Sequence, residues 1–459
     1  MTTEERIAEL EREQAALRAE NAALRAEVEK LRKALEEWKR GFRERSKRRT
    51  SRREGKREAS GKRPGRAKGH PGSRRAEPER IDGEVEHAVP AHCDCGGKVE
   101  PTGEATRTVV QDVPPVRVQN VRHVAWEGRC QQCGRVARAP LPGAVASGTS
   151  IAQVQLGPTL QAMAVGLRFE QHVPLGQIGA FFGQWFGVSV TAGGLSQLFD
   201  RLRMQSGPSL VEIVDRVRTS AVVGLDETGL RQNGIGGWVW LVRTDHASLF
   251  RMELSRGAWV AEALLGQGFV GVVCSDFYAA YTRHDDWTHG YCGAHLIREA
   301  KKIAELHPCP ETAKFSDQVQ AFYAAGHEAQ AAGDRFARAS ARGRLTRLIR
   351  SVDYAQVPDV VRLQIRLGKH KEGISTFLDR PDVPATNNAT ERDLRSVARH
   401  RAMTGGTRSE QGSHTFAHWM SITQTLRKND LPLRQFVLDL YDAHLYGTAP
   451  PSVFASASA

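Results

Sequence analysis

Four leucines at heptad spacing, two cysteine-bearing turns, and apolar strand runs that end in aspartate together predict a multidomain fold. Its expected parts are an N-terminal coiled coil, a small zinc ribbon, a helical domain and an α/β domain built on an open mixed sheet. The 459 residues suffice for roughly two to four domains of ordinary size. No stretch reaches the ~18 uninterrupted apolar residues of a membrane span, and the charged start Met1-Thr2-Thr3-Glu4-Glu5-Arg6 lacks the layout of a secretory signal. A soluble cytoplasmic protein without membrane contact is therefore expected. Seven cysteines, an odd number in a reducing compartment, argue for metal ligation over a disulfide framework.

The coiled coil occupies residues 1–38. Leu10, Leu17, Leu24 and Leu31 lie seven apart, Ile7, Gln14, Asn21 and Val28 stand three before them, and Leu35 and Trp38 follow. Leucine at d with one asparagine at a favours a parallel homodimer. A lone amphipathic helix packed on the body would show a wider apolar stripe.

Residues 39–80 form a basic linker. They carry 18 Lys and Arg against 5 Asp and Glu, which accounts for the entire net charge of +13. With Phe42 as its single aromatic and many Gly, Ser and Pro, this segment cannot bury a core and is expected to be disordered alone. Its densest part, with Arg48, Arg49, Arg52, Arg53, Lys56 and Arg57, suits a DNA backbone through counterion release; the alternative is a solvated linker.

Residues 81–145 read as short strands with cysteines at their ends. Cys130-Gln-Gln-Cys133-Gly134 is half of a zinc knuckle, and the other half falls in His92-Cys93-Asp94-Cys95-Gly96-Gly97. That first turn is irregular, so the structural zinc set is either Cys93, Cys95, Cys130 and Cys133, or His92 in place of Cys93. The scattered Cys274, Cys292 and Cys309 read as small core residues. Residues 146–215 are helical. Pro174 opens one helix, Gly187-Val188-Ser189 breaks the pattern, and a second helix runs from Thr191 through Leu195, Leu198 and Phe199, which resembles a helix-turn-helix as much as an ordinary helical hairpin.

The α/β domain spans residues 216–410. Ala221 to Leu225 is a buried-strand run ending in Asp226-Glu227-Thr228; Trp238 to Val242 and Phe250 to Leu254 read as the next strands. A helix from Ala258 to Leu265 precedes a second buried run, Val270 to Cys274, ending in Ser275-Asp276. Two aspartates at the ends of apolar strands can stand side by side at one edge of a sheet, and a helix opening at Thr386-Asn387-Asn388-Ala389-Thr390-Glu391 can bring a third carboxylate. Such hard oxygen donors suit a pair of Mg²⁺ or Mn²⁺ ions for phosphodiester chemistry. Each acid also has a structural reading: Asp226 and Asp276 as turn or cap residues, Glu391 as partner of Asn388 in a capping box. Glu227 points to the opposite face of its strand from Asp226 and is not expected to be a ligand.

These stretches, together with Ser275-Asp276-Phe277-Tyr278-Ala279-Ala280-Tyr281, Cys292-Gly293-Ala294-His295-Leu296-Ile297-Arg298 and Asn387 to Arg395, resemble the insertion-sequence transposases of the sixty-six type, zinc-bearing members of the DDE class. The order zipper, basic segment, zinc motif and catalytic domain is similar over almost the whole chain. The resemblance implies an RNase H-like catalytic core with Asp226, Asp276 and Glu391 as a metal-binding triad, and a helical insertion at about 296–380. It implies a DNA transposase that cleaves element ends and joins 3′-OH groups to target DNA, acting near the nucleoid with DNA, a second protomer and companion proteins of the same element. The alternatives are a non-catalytic DNA-binding regulator and a degenerate transposase. The first cysteine turn departs from the regular spacing of the family, and Gly293 stands where an aromatic is usual. His295 can approach DNA phosphate or the metal site, or be structural; Arg298 shares its segment. Arg392, Arg395 and Arg399 share one helix face as candidate phosphate contacts. Two helices, His414 to Leu426 and Leu431 to Leu445, are expected within the C-terminal segment 411–459.

Overall fold

The computed structural model describes Glu29 and residues 75–113, 116–139, 154–354 and 356–454. The heptad seam, apart from Glu29, and the six basic residues from Arg48 to Arg57 lie outside them. Two compact units divide the chain, residues 1–112 and 113–459. In the first, Cys93 and Cys95 sit on a tight turn closed by Gly96 N to Cys93 O (2.8 Å) and Cys93 N to Gly97 O (2.9 Å), with a bridge between His92 and Lys98 beside it.

The second unit begins with a two-stranded antiparallel ribbon, β1 (Glu127–Arg129) and β2 (Val136–Arg138), whose turn carries Cys130 and Cys133. Helices follow: α1 (Pro158–Val165), a π-helical turn Gly166–Glu170, α2 (Leu175–Phe186), α3 (Ala192–Gln205) and α4 (Gly207–Arg218). Gly187, at φ 65°, ends α2, and the Thr191 hydroxyl caps α3 by accepting from Gly194 N. The break between them therefore has its chemistry in two residues.

A five-stranded sheet comes next: β3 (Val222–Gln232), β4 (Ile235–Arg243), β5 (Ser248–Glu253), helix α5 (Ala258–Leu265), β6 (Val272–Ser275), the short α6 (Ala279–Thr282) and β7 (Thr288–Tyr291). The strands lie in the order β5-β4-β3-β6-β7; β3, β4 and β5 pair antiparallel, while β3, β6 and β7 pair parallel. Asn233-Gly234, both at positive φ, make the two-residue hairpin between β3 and β4. Asp226 is not at the end of its strand, as the sequence suggested. β3 continues to Gln232 because β4 pairs with it to the hairpin, and only the parallel pairing to β6 stops at Gly224. β7 is too short and too polar at its start to be read from sequence.

Five helices follow the sheet, α7 (Gly293–Leu306), α8 (Pro310–Ala332), α9 (Arg335–Arg350), α10 (Pro358–Lys369) and α11 (Lys371–Asp379), and bury a core of their own with Val272, Cys274 and Tyr291. The larger core joins the remaining strands to α1 through α5 and to the last three helices, α12 (Asn388–Thr404), α13 (Glu410–Lys428) and α14 (Leu433–Tyr446). Helix α12 is fastened at both ends to β3. At its far end Thr407 N donates to Arg231 O (2.9 Å) and Asn233 N to Thr407 O (2.8 Å). No helix among the described residues is long and apolar enough to cross a membrane.

Candidate active site

The parallel ladder pairs Val222 with Val272 and Gly224 with Cys274. Asp226 and Asp276 each lie two residues beyond that last pair; the period of two puts Asp226 on the face of Gly224, and Asp276, one residue past the end of β6, is near enough for its charge to act on Asp226. On that face sits the start of α12. A Cβ on Gly224 would collide with the Thr390 hydroxyl and come within 3.0 Å of Asn387 Oδ1, so only glycine admits the helix this close. Asn387 Nδ2 donates to Leu225 O (3.1 Å), its Oδ1 accepts from Thr390 (2.5 Å), and Glu391 follows one turn into the helix.

Electrostatics record the result. Burial pushes the Asp226 carboxyl up to about 7, and the charges of Glu227, Asp276 and Glu391 push in the same direction. Backbone N–H groups hold the two aspartates in place: Glu227 N donates to Asp226 Oδ1 (2.9 Å) and Tyr278 N to Asp276 Oδ1 (2.8 Å). All three acids are half-buried. Carboxylates that repel one another in this way are hard oxygen donors of the kind divalent cations take.

The capping-box alternative for Glu391 does not form. Asn387, not Asn388, is the N-cap, and Glu391 Oε1 turns away to take Arg298 Nη2 at 3.0 Å. Arg298 also reaches His295 Nε2 (3.2 Å), and His295 Nδ1 lies 3.8 Å from Glu391 Oε1. The segment carrying these residues is tied down by Cys292 N to Ser275 O (2.9 Å), Gly293 N to Ala385 O (2.9 Å) and Asn387 N to Cys292 Sγ (3.1 Å). A Cβ on Gly293 would meet the ring of Tyr323, so an aromatic from α8 already fills the space beside it.

Glu227, with its side chain 2 % exposed, lies opposite Trp240 in the ladder and binds Arg256, which donates from Nε at 2.7 Å, and the Tyr281 hydroxyl. Arg256 is itself sandwiched by Trp238 and Tyr278, 4.3 and 3.9 Å from the ring centroids. Neither partner of Glu227 was legible in the sequence; an acid directly beside Asp226 on a strand was the one available signal. Arg392, Arg395 and Arg399 are exposed and take no ion-pair partner among the described residues. Cys93, Cys95, Cys130 and Cys133 are free and exposed. Hydrogen bonds from Cys95 hold the Cys93 thiol below its ordinary range, and those from Cys133 and Gln132 do the same for Cys130. Both turns thus favour the thiolate that zinc binds. Cys274 and Cys292 are buried; burial pushes the Cys274 thiol up to about 12.

The family described as Transposase IS66 matches residues 153–415, more than half of the chain, including the sheet and the three acids. The chain is also 31% identical over 101 residues to the uncharacterized protein y4jO of Sinorhizobium fredii (strain NBRC 101917 / NGR234). That match covers 22% of this chain and 32% of the relative, so the chain spans about a third of the relative's length.

Proposed function

The chain belongs to the IS66 transposase family, and from that premise we propose that it is a DNA transposase whose Asp226, Asp276 and Glu391 carry the reaction. Family membership supports a transposase function; the observation that supports the residue assignment is that Asp226 and Asp276 each follow the last β3–β6 pair by two residues and interact through their charges, while Gly224 admits the helix that bears Glu391. The mixed five-stranded sheet with a helical insertion before that helix is compatible with an RNase H-like core.

In this reading the three carboxylates would hold Mg²⁺ or Mn²⁺, which would supply the Lewis acid that activates a water at the element end and then the freed 3′-OH. Asp226, whose carboxyl is pushed up to about 7 by burial and then by the neighbouring charges, would give up its proton when positive charge arrives. Glu227, Arg256 and Tyr281 anchor the opposite face of β3 and so hold the Asp226 backbone. Arg392, Arg395 and Arg399, exposed along the helix beyond Glu391, face the solvent where a phosphate backbone would run. The basic linker supplies sequence-independent affinity, the zipper pairs protomers, and the cysteine turns donate thiolates to structural zinc.

Purified protein with Mn²⁺ and a duplex bearing the element's terminal repeat is expected to give nicked or joined product. Asp226→Asn is expected to abolish product while DNA binding persists. Wild-type protein that binds but never cuts, with companion proteins of the element supplied, would be a regulator instead.

A further inference from the structure

Cys292 Sγ, a ring nitrogen of His295 and a carboxylate oxygen of Glu391 all lie within 4.8 Å of one another, Cys292 at the N-cap of α7 and the other two in the first turns of α7 and α12. Three donors around a tetrahedral ion with bonds of about 2.0–2.3 Å stand roughly 3.3–3.6 Å apart. The His295 to Glu391 separation of 3.8 Å is already close to that value. His295 Nδ1 is buried and makes no hydrogen bond among the described residues, while its own Nε2, Glu391 Oε1 and Cys292 Sγ each have a partner. Arg298, as a donor to His295 Nε2, requires that nitrogen to be the acceptor, which leaves a proton on Nδ1 with nothing to receive it. An unpaired buried donor of this kind costs about 1–3 kcal/mol.

We propose that Cys292, His295 and Glu391 form a binding site for one borderline divalent ion of the Zn²⁺ or Co²⁺ class, with a water at its fourth position. The mixed sulfur, nitrogen and oxygen donors separate it from an all-carboxylate Mg²⁺ site. Binding moves the imidazole proton from Nδ1 to Nε2, releases the Cys292 thiol proton to solvent, and displaces Arg298 from both partners. Arg298 is 59% exposed in its side chain and free to swing outward. The Cys292 sulfur already accepts Asn387 N–H, a bond that strengthens as the sulfur gains charge. Because Glu391 is shared, an ion held here draws that carboxylate away from Asp226 and Asp276; this consequence rests on the catalytic reading above, whereas binding itself does not.

The test uses the full chain with Cys93, Cys95, Cys130 and Cys133 changed to Ser, titrated with Co²⁺ without oxygen. One equivalent is expected, with thiolate-to-cobalt charge-transfer absorption in the near ultraviolet and tetrahedral bands in the visible. Cys292→Ser should remove the charge-transfer absorption, and His295→Ala should weaken binding at least about tenfold, which is about 1.4 kcal/mol. A titration without the charge-transfer band, or one that Cys292→Ser leaves unchanged, overturns the proposal. Should the four-serine chain fail to fold, wild type and Cys292→Ser are compared for bound zinc per chain after dialysis. One equivalent fewer in the variant supports the site, and equal content refutes it. Asp226→Asn should keep the cobalt spectrum while losing strand cleavage, so the failure of either reading is seen apart from the other.

Discussion

Gly224→Ala tests the contact that brings the third acid to the first. The new Cβ would overlap the Thr390 hydroxyl and crowd Asn387 Oδ1 and Arg243 Cγ, at 3.0 and 3.1 Å. Helix α12 must then shift at its N-terminus, where Asn387 holds Leu225 O in a buried hydrogen bond. Overpacking costs about 1–3 kcal/mol and a lost buried hydrogen bond about 1–3 kcal/mol; one movement of the helix end relieves the first by incurring the second, so the two overlap. Gly224 is not at positive φ, and alanine recovers about 0.4–1 kcal/mol by restricting the unfolded chain. A net loss of about 1–2 kcal/mol follows from these terms, read as a lower urea midpoint at unchanged slope. Strand joining should fall further than stability does, because Glu391 moves with the helix. Thr390→Ala removes the overlapping atom, so it should cost less in the Gly224→Ala background than in wild type. A Gly224→Ala protein with a wild-type midpoint, or additive effects of the two changes, would refute the packing argument.

Two further outcomes follow from the same site. Asp226 has a folded pKa raised from 3.8 to about 7, so the metal-free native state holds more protons than the unfolded chain between those values and loses stability as pH rises through that window. Asp226→Asn should accordingly stabilise the metal-free protein at pH 8 by ~2–4 kcal/mol and make no difference at pH 3; urea midpoints in EDTA at both pH values check this, and a destabilised variant at pH 8 would contradict the burial argument. Arg392→Ala with Arg395→Ala should leave stability within about 0.5 kcal/mol and lower the salt slope of DNA binding by about 2; a slope equal to wild type removes both residues from the phosphate contacts.

The parts of this site differ in how far the sequence announces them. Asp226 and Asp276 are legible because each closes an apolar run, and an acid at that point needs a reason. Their equivalence is not legible, since it depends on a parallel register joining segments fifty residues apart, and periodicity within one strand carries no register to another. Glu391 is legible as the acid of a helix start but ambiguous there, because a capping box and a catalytic carboxylate require the same residue at the same offset. The structure sets aside the cap through Arg298, 93 residues away, whose guanidinium takes the carboxylate that a cap would have used. The break between α2 and α3 reads correctly since Gly187 and Thr191 act through local chemistry alone.

Gly224 shows most clearly why the remainder was hidden. Within Ala221 to Leu225 it looks like a weak point of a buried strand, where a missing side chain lowers packing. Its purpose lies on another element: the absent Cβ is the space that Thr390 and Asn387 fill. Gly293 follows the same logic, giving its space to the ring of Tyr323 and thereby seating Cys292 and His295 beside Glu391. Both glycines mark close approaches whose other side comes from a helix far along the chain, so their meaning exists only after folding. A site assembled in this way should be more sensitive to added volume at Gly224 and Gly293 than to loss of any single exposed charge around it, because added volume moves the carboxylates while an exposed charge only tunes what they bind.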